Sequence, residues 1–439
     1  MQGGQWAGQD GQPVGPNRRA CLAGAAGLAA SWALPGSSAW AASEAKQHLT
    51  IAAYPAVDKV IKAALPAFTA LHPNVDVQVI SREFADHHTA MTTALTTASN
   101  LPNLMTLEVD YLGRFARGIG LEDLTQPPYN ALQYRDRFVQ YAFEQATDKT
   151  GAVLAIPTDI GAGTLLYRTD LMAKAGVSEA DLTNSWESYV AAGLRVRAAT
   201  GAYLLPNARD IKDIVIRTGI EPGEGLFYDK QSKALINTRR FHRAFELSLK
   251  VRQNKLDAQV RPWSSDWAEG FRRGAISTQM VGAWMAGHLN NWLAPTTRGL
   301  WRAAQLPEGA YAASGGTFYA IPRRSAPELK PLAWEFIRMM TLSREQQLGA
   351  FKALDAFPAL IETYDDPFFE QPIEFLGGQP GRLLWREAAR RIKAVQVHKQ
   401  DHFASEVVNT ELDKVLDQGK SIDQALADAQ RLIQSRALR

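Results

Sequence analysis

From residue 48 onward the chain alternates short strand patterns with amphipathic helix patterns, and this alternation limits the possible folds more than any other feature. His48–Ala53 is a short apolar run, Val57–Leu71 carries apolar residues at helical spacing, and Val75–Ile80 alternates apolar with polar residues. Leu101–Val109 is a further strand pattern. Strands that alternate with helices require crossover connections. The order therefore predicts an α/β protein with a mostly parallel sheet.

Later segments continue the same alternation. Gly151–Pro157 and Gly163–Tyr167 are predicted as two separate strands, and Ile276–Val281 as another. Ser185 is predicted to cap a helix, and Asp266 to open a capping box with Glu269. Neither an internal repeat nor a Pro/Ser-rich linker follows residue 43, which favours two interwoven lobes over separate beads. Further helices are predicted at His87–Ala98, Tyr111–Ile119, Thr169–Ala175, Trp186–Ala199, Ala333–Thr341, from Ser343 and from Ser421.

Composition excludes several classes of protein. A chain of 439 residues is long enough for two or three domains, and its single cysteine, Cys21, rules out an intrachain disulfide framework. The net charge of +3 is too small to indicate nucleic-acid binding. Because no run of about 18 apolar residues occurs, a bilayer-spanning helix is not expected.

Residues 1–41 have the layout of an export signal. Arg18 and Arg19 precede a weakly apolar run, Ala20–Ala30, and Ala39-Trp40-Ala41 supplies a small-residue cleavage pattern. The arginine pair and the Ala/Gly-rich run resemble a twin-arginine signal, which predicts a periplasmic protein. An ordinary Sec signal is the alternative, and Cys21 lacks the preceding apolar run that a lipoprotein signal needs.

Motifs for catalysis, metals or cofactors are not recognised after the signal. Gly419-Lys420-Ser421 resembles the end of a phosphate-binding loop, but Lys414 stands where the first glycine should be. His398 and His402 lie four residues apart and could share a helix face with Asp401 for a metal, although a solvated charged face is the simpler interpretation. No acidic pair is marked as a glycosidase site. The expectation is therefore no catalytic residue, no metal and no cofactor.

Tryptophans are frequent at the ends of predicted elements, as at Trp263, Trp267 and Trp284. Aromatic faces pack against the apolar C–H faces of sugar rings, while carboxylates and amides bind hydroxyl groups. The simpler interpretation of any one tryptophan is core packing. The pattern therefore permits a sugar site without demanding one.

A series of loose motifs, in order and over roughly residues 48 to 439, resembles the family 1 extracellular solute-binding proteins of carbohydrate ABC importers. Phe68–Val77 is similar to their F-x-x-x-x-P-N-hydrophobic-x-V segment, and Gly282-Ala283-Trp284 to their G-x-W segment. The other matching segments are Leu101–Leu104, Gly118–Leu124, Ile156–Asp159, Leu166–Leu171, Ser185-Trp186, Phe271–Ala275, Leu306-Pro307, Gly315-Gly316, Ile321-Pro322 and Ala333–Ile337.

The resemblance implies a two-lobed α/β fold of the periplasmic-binding-protein type II, with ligand in a cleft between lobes that close by hinge motion. It places residues 42–158 and 283–320 in lobe 1, and residues 159–282 and 321–439 in lobe 2. A carbohydrate or polyol ligand and the membrane subunits of an ABC permease are the implied partners. The receptor is expected to be a monomer that does not bind nucleic acid.

Candidate ligand-binding residues follow from the same resemblance and lie at strand ends or at crossings between the lobes. Trp284 is expected to stack on a sugar ring, and the acidic residues to bind hydroxyl groups. Two positions depart from the family pattern, Asn103 and Arg168, so the ligand could be an unusual sugar, a polyol or another polar solute. The candidates are Tyr54, Asp110, Tyr111, Asp159, Trp284, Gly316, Thr317 and Asp355.

Two functions of different classes fit these observations. The first is a transport receptor that binds its solute reversibly, and the second is a secreted carbohydrate-active enzyme on a similar scaffold. The receptor is favoured because the sequence marks no nucleophile, metal cluster or acid/base pair.

Overall fold

The computed structural model describes residues 46–115, 120–148, 150–395 and 397–437. The predicted signal segment, residues 1–41, lies outside the described residues. The described residues form one compact unit.

A mixed sheet of seven strands organises this unit, with strands in the order β2-β1-β3-β7-β4-β5 and β6 paired to β4. β1 pairs with β2 and β3 in parallel, whereas β3–β7, β4–β7, β4–β5 and β4–β6 are antiparallel. The strands are β1 (Gln47–Ala53), β2 (Val75–Ser81), β3 (Leu104–Glu108), β4 (Ile156–Arg168), β5 (Thr278–Gly282), β6 (Trp301–Ala304) and β7 (Ala313–Ala320).

Helices cover the sheet and connect its strands. In the first third of the chain they are α1 (Val57–Leu71), α2 (Phe84–Thr97), α3 (Val109–Phe115) and α4 (Gln140–Gln145). The middle holds α5 (Thr169–Lys174), α6 (Glu179–Thr183), α7 (Trp186–Thr200), α8 (Ala208–Val215), α9 (Arg239–Gln253), α10 (Ser265–Arg272) and α11 (Met285–His288), followed by a π-helical turn at Leu289–Leu293. The last are α12 (Lys330–Leu342), α13 (Arg344–Leu354), α14 (Gly381–Arg391), α15 (Asp401–Gln418) and α16 (Ile422–Arg436).

Local sequence signals set many of these bounds. The predicted helix Val57–Leu71 is confirmed at both ends, and its buried face carries Ile61, Ala64 and Phe68 at helical spacing. Ser185 caps α7 as predicted, because its hydroxyl accepts the backbone N–H of Ser188 at 2.9 Å.

Three sequence-based expectations are wrong. The sheet is not mostly parallel, since every pair that involves β4 or β7 is antiparallel. The helix-crossover argument applies only where the chain returns to the same end of the sheet, as it does between β1, β2 and β3.

Gly151–Pro157 and Gly163–Tyr167 are not two strands, because Ile156–Arg168 is one continuous strand. The cap of α10 is Ser264, whose hydroxyl accepts the N–H of Trp267 at 3.2 Å, and Asp266 lies inside the first turn.

Buried side chains fall into several clusters, and β4 contributes to two of them. Leu166 belongs to the cluster that contains β1 and α1, while Leu165, which points to the opposite face of the strand, belongs to the cluster of α7, α9 and α15. α12 packs on α1 through an edge-to-face contact of Phe68 and Phe336, whose ring centroids are 5.0 Å apart. The predicted lobe boundaries at residues 158, 282 and 320 stay a prediction.

Candidate functional site

A row of polar side chains crosses three neighbouring strands of the sheet. Glu108 of β3 pairs with Thr317 of β7, which pairs in turn with Asp159 of β4. Tyr54 directly follows β1, and its hydroxyl hydrogen-bonds to the Thr317 hydroxyl at 2.7 Å. The Thr317 backbone N–H donates to Asp159 Oδ1 at 3.1 Å. Three predicted site residues, Tyr54, Asp159 and Thr317, thus form one hydrogen-bonded chain.

Burial raises the pKa values of the titratable side chains in this row. It raises the pKa of Asp159 to about 6, in spite of the hydrogen bonds from Thr317. Burial and, next, the charge of Asp110 raise the pKa of Glu108 well above its usual range. Burial likewise raises the pKa of Tyr54, so its phenol keeps its proton. The row therefore offers donors and acceptors side by side, which suits the hydroxyl groups of a polar solute.

Trp284 lies beside this row, just after β5. Its indole Nε1–H donates to the backbone oxygen of Ser314 at 3.0 Å, at the start of β7. Gly316, also on β7, has a φ of 141°, and an added Cβ would lie 3.3 Å from the backbone oxygen of Asp159. A side chain at position 316 would be strained and would crowd β4, so glycine serves close strand packing here.

A cavity of about 190 Å³ lies near the row, and its lining includes Asp110 and Gly315, each two positions along the chain from a row residue, Glu108 or Thr317. Arg217, Tyr311 and Asp401 are also among the lining residues. The segments that meet here are far apart in the sequence, as expected for a site assembled by the fold rather than by one local motif.

Opposite charges face each other in this cavity. Arg217 Nη2 lies 3.5 Å from Asp110 Oδ1. Asp401 accepts the backbone N–H of His398 at 2.6 Å through Oδ2, while its buried Oδ1 has no hydrogen-bond partner among the described residues. Burial raises the pKa of Asp401 to about 8. The cavity therefore contains a polar group that a bound solute can satisfy.

Tyr111 has different surroundings from those expected of a ligand contact. Its ring stacks on His88 at 3.9 Å between centroids, with an interplanar angle of 18°. It also stacks on His402 of α15 at 5.0 Å and 30°. Both contacts hold the ring in place, so Tyr111 joins α3 to α15 in this structure.

Asp355 also lies apart from the hydrogen-bonded row. It ends α13 in the left-handed region with a φ of 53°, and its carboxyl is 4.0 Å from Arg382. An added Cβ on Gly287 of α11 would lie 2.6 Å from Asp355 Oδ2. Asp355 therefore packs against the helix that follows Trp284, and burial raises its pKa to about 6.

Sequence reasoning missed Glu108, Arg217 and Asp401. Glu108 ends the same strand that drew attention to Asp110, so strand-end position could have identified it. Arg217 follows α8 and is brought to Asp110 across 107 positions of sequence, with no local signal to announce it. Asp401 was noticed only as a neighbour of His398 and His402.

The described residues contain no group of three metal-ligating side chains. The two histidines weighed as a metal pair have separate environments, because His398 stacks on Tyr228 at 3.9 Å and His402 stacks on Tyr111. Among all the residues that the structure describes, no helix combines the length and apolar character that a membrane crossing needs.

Comparisons with known proteins agree with this architecture. A lactose-binding protein of Rhizobium radiobacter is 24% identical over 371 residues, which cover 79% of this chain and 82% of the relative. An arabinooligosaccharide-binding protein of Bacillus subtilis is 23% identical over 369 residues, which cover 80% and 83% of the two chains. A crystal structure described as an extracellular solute-binding protein family 1 superposes with a TM-score of 0.76 at 23% identity, covering 89% of this chain and 100% of the other.

The predicted fold class, a two-lobed periplasmic-binding-protein type of α/β fold, is confirmed by this structural likeness. The family model for bacterial extracellular solute-binding proteins matches residues 50–347, which include the row of Tyr54, Glu108, Asp159 and Thr317 as well as Trp284. On that match, the chain belongs to the bacterial extracellular solute-binding proteins.

Proposed function

We propose that this protein is the substrate-binding receptor of an ABC importer and that it binds a sugar or oligosaccharide reversibly. The observation that carries the proposal is the row of Tyr54, Glu108, Asp159 and Thr317 beside Trp284 and an open cavity. Carboxyl and hydroxyl groups match the hydroxyls of a sugar, and an indole matches its apolar face. The relatives that bind lactose and arabino-oligosaccharides support the same class of ligand.

Binding is proposed to close the cleft around the ligand. Asp110 and Arg217 approach from separately buried parts of the molecule, since Val109 and Val215 belong to different clusters. A ligand that contacts both sides favours the closed form, which the permease then recognises. We place α12 with the first lobe rather than the second, because Phe336 packs on Phe68 of α1.

The receptor is proposed to perform no chemistry and to act as a monomer. The competing function, a secreted carbohydrate-active enzyme, draws on one observation: Glu108 and Asp159 flank Thr317 with raised pKa values, a property also found in catalytic acids. The hydrogen bonds that occupy Tyr54, Thr317 and Asp159 favour a binding role for the same row.

Export to the periplasm by the twin-arginine route is proposed from the sequence of residues 1–41 and from the extracellular character of the family. Arg18 and Arg19 carry the twin-arginine part of this proposal. A polyol or another small polar solute is the alternative ligand, since the same groups bind any neighbouring hydroxyls.

A thermal-shift screen of sugars and polyols tests the proposed function. A true ligand raises the melting temperature by an amount that grows with the logarithm of its concentration over its Kd, and mass spectrometry of the recovered ligand should show no product. We expect Trp284→Ala to weaken binding of the best hit about tenfold, which corresponds to roughly 1.4 kcal/mol, and Trp284→Phe to weaken it less.

Leu71→Ala serves as the matched control, because Leu71 is exposed on α1 and should leave affinity unchanged. Conversion of the hit to a product would replace the receptor with the enzyme. Unchanged affinity in Trp284→Ala would show that the ligand site lies elsewhere.

A further inference from the structure

Three tryptophans form one stack that begins at the candidate site. The Trp263 ring is nearly parallel to Trp284, with centroids 5.9 Å apart and an interplanar angle of 19°, and to Trp292 at 6.4 Å and 18°. Parallel rings with centroids this far apart are offset, so each leaves part of its face uncovered. The stack therefore presents a stepped surface of indole faces rather than a closed sandwich.

His288 and Trp267 hold this stack in place. The Trp292 Nε1–H donates to His288 Nδ1 at 2.8 Å, and the His288 ring meets Trp263, Trp284 and Trp292 edge-on, with centroids 5.4–5.7 Å apart. Burial lowers the pKa of His288 to about 4, which keeps Nδ1 available as an acceptor at neutral pH. Behind the stack, buried Trp267 supports Trp263 at 5.0 Å.

The outer two rings are exposed, which is unusual for tryptophan in this protein. Trp263 is 55% exposed and Trp292 48% exposed, whereas most other described tryptophans are buried. Trp263 keeps its position in spite of a φ of 67°, a conformation that a bulky residue rarely adopts. Trp292 lies in the π-helical turn that follows α11. Exposed apolar groups held this firmly indicate an interaction surface.

The stack adjoins the lining of the cavity at Gly315. Trp284 Nε1 is bonded to the Ser314 oxygen, and an added Cβ on Gly315, which lines the cavity, would lie 3.2 Å from the same nitrogen. Trp263 stacks on Trp284, and Trp292 stacks on Trp263, so the exposed rings extend outward from Trp284. Flat, nearly parallel faces suit successive sugar rings of one chain better than the irregular side chains of a protein partner.

We infer that Trp263 and Trp292 form an outer platform that stacks on additional sugar rings of an oligosaccharide whose inner end occupies the cavity beside Trp284. This inference rests on the proposed function and narrows its ligand class to chains longer than a disaccharide. The cavity binds the inner residues through their hydroxyls, and the outer platform adds affinity for each ring that reaches it.

Calorimetric titration with galacto-oligosaccharides and arabino-oligosaccharides, from disaccharide to hexasaccharide, tests the platform. Trp263→Gly is the preferred variant, because glycine accepts the positive φ without strain, and Trp292→Ala is the second. Trp263→Tyr keeps a ring and is the conservative rescue, while Leu71→Ala is an exposed apolar control. Melting curves of each variant report whether the fold is intact.

For wild-type protein we expect affinity to rise with chain length. Both platform variants should weaken binding of the longest chain about five- to tenfold and change binding of the disaccharide less than about twofold. Trp263→Tyr should recover most of the loss. Binding of the long chain should also change the tryptophan fluorescence in wild type, and this change should be smaller in Trp263→Gly.

Two results would overturn the inference in distinguishable ways. If wild-type protein binds the sugars but the platform variants lose nothing, or lose the same factor at every chain length, the platform does not contact sugar and a protein-docking role replaces it. If wild-type protein binds no member of either series, the platform inference fails for these chains, and the proposed function fails with it only if the thermal-shift screen also finds no sugar that binds.

Discussion

Asp401 is a single side chain whose protonation should set part of the protein's stability. Its carboxyl is buried against the cavity, its Oδ1 is unpartnered within the described residues, and its pKa is about 8. The charge of Asp110 also raises this pKa, while Arg217 lowers it. The unfolded chain titrates Asp401 in the ordinary range near 4, so the two states hold different numbers of protons between about pH 4 and 8.

We expect Asp401→Asn to stabilise the protein increasingly as the pH rises through that window. The folded wild type retains a proton that its unfolded chain has lost, so its free energy of unfolding falls with rising pH, whereas asparagine does not titrate. The gain should amount to several kcal/mol near pH 8, because each unit of difference between the folded and unfolded pKa corresponds to about 1.4 kcal/mol. Urea unfolding of both proteins at pH 5, 6, 7 and 8 measures it. A difference that does not vary with pH would contradict the raised pKa.

At the residue scale, sequence reasoning identified side chains whose role follows from a position at a strand end. Tyr54, Asp159 and Thr317 were named separately, and the structure joins them through hydrogen bonds. Arg217 was not found, because its contact with Asp110 depends on how distant segments pack and leaves no trace in local sequence. Tyr111 was found at the correct strand end, but its ring is held between two histidines.

Among the elements, β4 depends most on small residues. An added Cβ on Gly161 would lie 1.7 Å from the backbone oxygen of Ser314, and one on Gly163 would lie 2.4 Å from that of Ala312. Because these neighbours are backbone atoms of or next to β7, they cannot move aside without separating the strands. The same glycines made β4 look like two short strands, since glycine usually interrupts a strand pattern.

Gly161→Ala should therefore destabilise the protein by several kcal/mol or prevent folding, because overpacking forces backbone shifts that typically cost about 1–3 kcal/mol or more. Gly349→Ala is the matched control. Gly349 lies in α13 with no atom within 4 Å of an added Cβ, so alanine should stabilise the helix by about 0.5–1 kcal/mol. Chemical unfolding of both variants gives the comparison. Equal effects would show that close strand approach is not the reason for glycine at position 161.

Elements with periodic apolar patterns and good caps were predictable, as α1 and α7 show. The direction of each strand was not predictable, because it depends on where the chain re-enters the sheet. β7 pairs antiparallel with both β3 and β4 after more than 140 positions of intervening sequence. The local sequence pattern does not show in which direction the chain re-enters the sheet. The prediction of a mostly parallel sheet is therefore wrong for the pairs that β7 forms.

On the scale of the whole molecule, the contact between α3 and α15 joins separately buried parts. Leu112 of α3 is buried with β3 and α2, whereas Val408 of α15 is buried with α7 and α9. Tyr111 stacks on His402 across this contact, and Asp110 lies 3.5 Å from Arg217 close by. Contacts between separately buried parts are expected to resist their separation.

Tyr111→Ala should loosen this contact, whereas Tyr111→Phe should preserve it. Removing the ring loses stacking on both His88 and His402, which we expect to lower the free energy of unfolding by about 1–2 kcal/mol, while phenylalanine keeps both stacks. Ligand-free Tyr111→Ala should also show a larger radius of gyration than wild type in small-angle X-ray scattering, because the open form becomes more populated.

The sequence-based expectation for Tyr111 was direct contact with the ligand, and the same two variants separate it from the role inferred from the structure. A ligand-contacting ring would leave the ligand-free radius of gyration unchanged in Tyr111→Ala and reduce sugar affinity instead. If the ring instead holds α3 to α15, the ligand-free Tyr111→Ala protein populates the open form more. Its sugar affinity then falls only in proportion to the reduced population of the closed form. Scattering without ligand and titration with ligand, made on both variants, therefore decide whether Tyr111 contacts solute or holds α3 to α15.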